Sequence, residues 1–159
     1  MGIGKENILE SIQSIKDLFP ESPMLALRWY LLAIADCLTL GYEEIAIDIC
    51  KDCKIFCEAV QQSYKNDEDL QQEDEDYSDF YILYGYILVS NQQYQQAQEI
   101  LDLAHKELEE EINKPENRTN FKVLQKIQLR IVYVDDIMGR YIYYIFLLFL
   151  IHIILLYQN

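Results

Sequence analysis

The stretch YILYGYILVSNQQYQQAQEILDLAHKEL, residues 81–108, decides the fold of this chain. Its first part is almost entirely apolar, and its second part repeats apolar residues at the three- and four-residue spacing of one helix face. Only Asn91 and Gln92 separate the two parts. Because helices joined by so short a connection must fold back on each other, the stretch predicts an antiparallel hairpin of helices over 80–90 and 93–112.

The remainder of the chain also has the composition of helices. Among its 159 residues are only five Gly and three Pro, fewer turn residues than a sheet with several tight hairpins needs. Apolar periodicity predicts further helices over 8–19, 24–39, 42–60 and 121–138. The sequence therefore predicts an all-α fold.

Charge restricts the class of partner. The chain has 13 basic and 27 acidic residues, a formal net charge of -14 at pH 7. This surplus repels nucleic-acid phosphates and anionic lipid headgroups, so we expect no binding to nucleic acid. The acidic residues are concentrated in 64–79, which predicts a solvated loop. An acidic docking site for a basic partner is the alternative for this segment.

The four cysteines are interpreted as core residues. Cys50, Cys53 and Cys57 share one stripe of a helix, and Cys37 belongs to the preceding helix. No His is near enough in sequence to complete a tetrahedral zinc site, so we predict no metal and assign the thiols to helix packing. Free thiols suit a reducing compartment, which predicts a cytoplasmic location.

No arrangement of residues indicates catalysis. The two histidines, His105 and His152, have no Cys or Ser nucleophile at a meaningful spacing. Carboxylates are abundant, but a solvated acidic run is not a paired acid and base. We therefore expect neither an enzyme nor a cofactor.

The stretch 81–108 resembles the tetratricopeptide repeat (TPR) family. That family places a large aromatic, a large-small pair, a turn aromatic and then small residues at set spacings along two helices. The matching residues here are Tyr81, Tyr84, Gly85, Tyr94, Ala97, Leu101 and Ala104. The small residues would let the two helices approach closely while larger side chains fill the space around them.

Residues 29–60 resemble a second, less regular copy. Its first helix is matched by Trp29, Leu32 and Ala33, and its turn by Tyr42. A third copy is only partial: residues 127–134 suit a first helix and 139–141 resemble a turn, but no second helix follows. The resemblance divides the chain into a capping helix (1–23), repeat 1 (24–63), an acidic insertion (64–79), repeat 2 (80–114), a partial repeat 3 (115–140) and a hydrophobic tail (141–159).

The resemblance implies an α-solenoid of antiparallel helix pairs, with a concave groove lined by the first helix of each pair. The residues that would line this groove are Tyr30, Ile34, Cys37, Ile82, Tyr86 and Val89. An aromatic and apolar groove suits a peptide or amphipathic helix of another protein better than the acidic chaperone tail that some members bind. This predicts a protein–protein adaptor or scaffold. The alternative is that these residues pack on a neighbouring repeat or on the cap.

The tail has its own set of interpretations. Residues 141–157 are nearly all Ile, Leu, Phe or Tyr and as a helix would be about 25 Å long, near the lower limit for crossing a bilayer. Tyrosines at both ends suit a membrane interface, so the chain could be an organelle membrane receptor with a cytosolic TPR-like domain. Two alternatives are a buried terminal helix and translated noncoding sequence from a truncated gene model. The second alternative arises because the tail is composed of residues with AT-rich codons and begins where the third repeat should continue.

Overall fold

A computed structural model describes residues 5–17, 22–66 and 77–158 of the chain. Every regular element in these ranges is an α-helix, which confirms the all-α prediction. The six helices are α1 (Lys5–Asp17), α2 (Pro23–Thr39), α3 (Glu43–Asn66), α4 (Ser78–Ser90), α5 (Tyr94–Asn113) and α6 (Phe121–Tyr157).

Most of the predicted acidic insertion, residues 67–76, lies outside the described residues. Its first three residues belong to the end of α3, which runs beyond its last buried side chain, Val60. This polar end is supported by a side-chain hydrogen bond of 3.2 Å from Gln62 to Asn66. The helix therefore ends later than apolar periodicity alone predicts, because side chains one turn apart bond each other along its solvated surface.

The helices form two compact units, unit 1 (Met1–Glu75) and unit 2 (Asp76–Asn159). In unit 1, α2 packs against both α1 and α3. The core of unit 1 combines apolar side chains from all three helices, among them Ile8, Ile12, Ile15, Ala26, Leu27, Ile49, Phe56 and Val60. In unit 2, α4, α5 and α6 all pack against one another.

The hairpin of unit 2 is held by the close approach of α4 to α5. Gly85 is buried, and a Cβ atom at this position would lie 2.4 Å from Cδ2 of Leu101. On the facing helix, Ala97 and Ala104 are fully buried. The absence of larger side chains at these three positions allows the two backbones to approach until Leu101 fills the space over Gly85.

The turns after α2 and α4 have the same backbone geometry. In each, the second residue beyond the helix has a positive φ, 78° at Gly41 and 60° at Gln92. The N–H of the next residue donates to a carbonyl in the last helical turn, from Tyr42 to Cys37 at 2.8 Å and from Gln93 to Leu88 at 2.9 Å. These are Schellman motifs, and Gly41 suits one because glycine adopts positive φ without steric cost.

The helix α6 begins at an N-cap residue and packs against α4 and α5. The Asn120 side chain accepts a 3.3 Å hydrogen bond from the N–H of Val123, satisfying a donor of the first turn. Arg130 pairs with Asp79 on α4, with Nε 3.2 Å from Oδ1. The side chains that α6 buries in unit 2 are Ile127, Val134 and Ile137.

The turn predicted at residues 139–141 is not present, because α6 continues through it to Tyr157. A glycine inside a helix costs about 1 kcal/mol relative to alanine but does not end the helix, and no further Gly or Pro occurs in 140–157. Nothing lies within 4 Å of a Cβ built at Gly139. The tail is therefore the second half of a helix whose first half belongs to the packed domain.

Substitutions at the two turn positions with positive φ, Gln92 and Gly41, should change the free energy of unfolding in opposite directions. Gln92→Gly should raise the free energy of unfolding by about 1 kcal/mol, because a non-glycine residue at positive φ is strained. Gly41→Ala should lower it by about 1 kcal/mol for the same reason. Urea titration of the full chain in mild detergent, followed by circular dichroism, measures both. Unchanged midpoints would contradict the left-handed turns.

Adding a side chain at Gly85 should destabilise unit 2. We expect Gly85→Ala to cost about 1–3 kcal/mol, because Leu101 is buried and must shift to make room. In combination with Leu101→Ala, the cost should be smaller than the sum of the two single costs. The same titration measures this coupling. The matched control is Gly139→Ala, which meets open space and should be neutral or stabilising by up to about 1 kcal/mol.

Candidate functional site

Three of the residues expected to line a partner groove are core residues of unit 1. Tyr30 is 1% exposed and Ile34 and Cys37 are 0% exposed. The ring of Tyr30 lies 5.4 Å from that of Phe56 on α3. The structure thus corrects their placement: α1 and α3 both pack on α2 and leave these side chains inaccessible to a partner.

The residues of α2 that the repeat pattern predicts to pack in the core are instead at least partly accessible. Trp29 is 50% exposed and Ala33 is half-buried. With Leu25 and Leu32, which are also exposed, Trp29 forms an apolar stripe along the solvent side of α2, here called the α2 stripe. The spacing of four and three residues places these three side chains on one helix face.

The four cysteines are free and buried in unit 1. Burial raises the pKa of Cys50 from its ordinary value of 9.0 to about 12, with a further contribution from Cys37. Burial and a hydrogen bond with Cys57 also raise the pKa of Cys53. Among the described residues, no group of three or more His, Cys, Asp or Glu side chains is arranged to hold a metal ion. The thiols act here as small apolar groups between helices.

In unit 2, the residues matched to the repeat signature lie mainly at the contact of α4 with α5. Tyr81 is 2% exposed and Gly85 is buried between the helices. Of the expected groove residues, Ile82 is buried, at 8% exposed, so its placement is also corrected. Tyr86 is 44% exposed and Val89 is half-buried, so these two side chains reach an accessible surface.

That surface is a cleft between the end of α4, the α4–α5 turn and α6, here called the hairpin cleft. Its volume is about 390 Å³, within the range of about 300–1,000 Å³ typical of ligand pockets. The lining residues are Tyr86, Val89, Ser90, Gln92, Tyr94, Ile137, Arg140 and Leu148. The cleft therefore combines aromatic, aliphatic and uncharged polar side chains with a single cation.

The hairpin cleft lies where α6 leaves the packed part of unit 2. The rings of Tyr94 and Tyr141 are 5.1 Å apart between centroids and inclined at 40°. Arg140 is 62% exposed, and its Nη2 lies 3.1 Å from Oδ2 of Asp136 one turn earlier. Leu148 is seven residues beyond Tyr141, about 10 Å farther along the helix. The cleft thus follows α6 from its last charged residue into its apolar half.

Beyond Tyr141 the apolar side chains of α6 are exposed. The large ones that are more than half exposed are Ile142, Tyr143, Phe146, Leu148, Phe149, Ile151, Ile154, Leu155, Leu156 and Tyr157. Within the described part of the chain, α6 is the one helix long and apolar enough to cross a membrane, and its most apolar window is 0% buried. The interpretation of the tail as a buried terminal helix is therefore contradicted.

The sequence patterns indicated only part of the hairpin cleft. Tyr86 and Val89 were expected to be accessible, and Tyr94 was expected at the turn. The sequence does contain a signal for Arg140, because it is the last charged residue before the apolar tail. Gln92 carries none, because a glutamine in a left-handed turn has no sequence signature comparable to glycine.

The stability of unit 1 should fall as pH rises above 9. The thiol of Cys50 keeps its proton in the folded state until about pH 12, whereas in the unfolded chain it ionises near 9.0. Between these values the folded state binds more protons than the unfolded state, so alkaline pH favours unfolding. Urea midpoints of the full chain measured at several pH values between 8 and 11 test this.

The matched variant is Cys50→Ala. It lowers stability at neutral pH because it leaves a small cavity, but it should make the fall above pH 9 shallower. An unchanged pH slope in this variant would show that Cys50 does not carry the effect.

No protein-family model matches this chain, and comparisons with curated proteins and with solved structures find no match. The resemblance to TPR proteins consequently rests on the residues of the two segments 81–108 and 29–60 alone.

Proposed function

We propose that this chain is a membrane-anchored protein-interaction domain, in which residues 141–157 insert into a bilayer. The observation that carries the proposal is the division of α6 into two halves. The first half packs in unit 2 through Ile127, Val134 and Ile137, and the second half presents its large apolar side chains to the surroundings. A continuous helix of this kind joins a folded domain directly to a membrane span.

The free energy of transfer favours insertion of the second half. Residues 141–157 contain twelve Ile, Leu or Phe residues and no Asp, Glu, Lys or Arg. At about -0.3 to -0.6 kcal/mol each, these twelve side chains contribute on the order of -4 to -7 kcal/mol to membrane insertion. His152, the one strongly polar side chain in the segment, offsets part of this. Left in water, so large an apolar surface would cause aggregation.

The ends of the segment suit the two interfaces of a bilayer. Arg140 is the last charged residue, and Tyr141 and Tyr157 stand at the two ends of the apolar run. Tyrosine prefers the headgroup level, where its ring is buried and its hydroxyl is hydrated. The length of about 25 Å is slightly below the usual hydrocarbon thickness of about 30 Å, a mismatch that local thinning of the bilayer accommodates at small cost.

The interaction function is proposed from the rest of the chain. The helix pairs α2–α3 and α4–α5 are interpreted as TPR-like repeats of an α-solenoid adaptor, on the residues matched above. The surface that favours a partner is the α2 stripe of Leu25, Trp29 and Leu32, because an exposed row of this spacing receives the apolar face of an amphipathic helix. It takes the place of the groove expected at Tyr30 and Ile34. The domain would face the cytoplasm, in keeping with its free thiols.

Membrane insertion is tested by synthesis of the full chain in the presence of microsomes, followed by alkaline carbonate extraction. We expect the chain to remain in the membrane fraction. Phe149→Arg, at the centre of the segment, should lower the equilibrium constant for insertion about a hundredfold, because a charge there costs about 2.5–3.5 kcal/mol. The matched control is Tyr157→Arg, where the long side chain reaches the interface at little cost.

Complete extraction of the unaltered chain by carbonate would refute the anchor. The interpretation as translated noncoding sequence is tested separately by sequencing the transcript around codon 140. A spliced message that replaces residues 141–159 with a second helix of a third repeat would support that interpretation against the anchor.

A further inference from the structure

We propose that the hairpin cleft binds a zwitterionic phospholipid, with the phosphate on Arg140 and the choline group against the tyrosine rings. The inference rests on the proposed insertion of residues 141–157. Once these residues lie in a bilayer, Tyr141 marks the headgroup level, and the adjoining cleft opens onto the lipids that surround the helix. The cleft then becomes a site for one particular lipid.

From Arg140 onward, the lining that α6 gives the cleft passes from a cation to an apolar side chain, as a phospholipid passes from its phosphate to its acyl chains. At the level of the α4–α5 turn are the polar side chains of Ser90 and Gln92 and the guanidinium of Arg140. About 12 Å farther along the helix, eight residues on, is Leu148, which belongs to the apolar half. A headgroup beside Arg140 would therefore place its acyl chains along Leu148, in the direction of the bilayer interior.

Arg140 can bind a phosphate in addition to its present partner, Asp136. Its ion pair with Asp136 lies on the surface, with the two side chains 62% and 53% exposed. Ion pairs this exposed contribute little to stability, and a guanidinium has five donors, enough to keep Asp136 while it binds a phosphate oxygen. Arginine also matches the planar, two-point geometry of phosphate recognition better than lysine does.

The aromatic side chains and the overall charge select the headgroup. Tyr86 and Tyr94 both line the cleft, and a quaternary ammonium is attracted to the face of an aromatic ring. The chain has a net charge of -14, so an anionic headgroup would be repelled by the protein as a whole. A headgroup with its own cation avoids this repulsion, and phosphatidylcholine has both the phosphate and the cation that the cleft can bind.

The test uses the full chain in nanodiscs that contain equal amounts of phosphatidylcholine and phosphatidylglycerol with the same acyl chains. Native mass spectrometry after release from the nanodisc measures which lipid stays bound. We expect one retained phosphatidylcholine per chain. Arg140→Gln should reduce its retention about tenfold, the order of effect of losing a hydrogen bond to a charged group. The matched control is Lys122→Gln, an exposed cation at the other end of α6, which should change nothing.

A second measurement separates this inference from the proposed function. Leu150→Trp in a Trp29→Phe background leaves one tryptophan in the chain, in the middle of the apolar half. Quenching of its fluorescence by lipids with brominated acyl chains shows insertion. Quenching together with equal retention of both lipids, or with full retention by Arg140→Gln, would overturn the lipid site and leave the anchor standing. No quenching would overturn both.

Discussion

The contact between Gly85 and Leu101 is the constraint on which unit 2 depends. A Cβ atom at Gly85 would lie within 2.4 Å of the Leu101 side chain, so the two helices can be this close only because glycine is there. The close approach places the turn of the hairpin beside α6, where Tyr94 contacts Tyr141. The hairpin cleft exists because these two contacts hold the end of α4 and the middle of α6 side by side.

The two halves of α6 have different surroundings on one unbroken backbone. The first half buries Ile127, Val134 and Ile137 on the face that meets α4 and α5, while polar residues and the apolar side chains of Leu129, Val132 and Tyr133 are exposed on its other faces. The second half is apolar on every face. Such a helix requires apolar surroundings on all sides. Because one uninterrupted helix contains both halves, the orientation of the packed domain and that of the proposed membrane span would be linked through Arg140 and Tyr141.

The sequence predicts the buried face of an amphipathic helix, but not that of a helix that is apolar all round. In α3 and α5 the polar residues mark the solvent side, so burial of Cys53 or Ala97 could be expected from spacing alone. In α2 and α4 nearly every residue is apolar, and periodicity does not distinguish a core face from an accessible one. The repeat pattern places Trp29 in the core and Tyr30 in a groove, and the structure reverses both, because α1 and α3 cover the face of α2 that contains Tyr30.

Three features follow from the residues alone: the chain is all-α, residues 81–108 form a hairpin, and an apolar segment follows Arg140. These features depend only on the spacing and composition of residues that are close together in the chain. Three others become visible only in the folded chain: which face of α2 is buried, that α6 continues through Gly139, and that Tyr86, Tyr94 and Arg140 share a cleft. Those features depend on which helices pack against each other. This packing is set by contacts between side chains that are far apart in the chain.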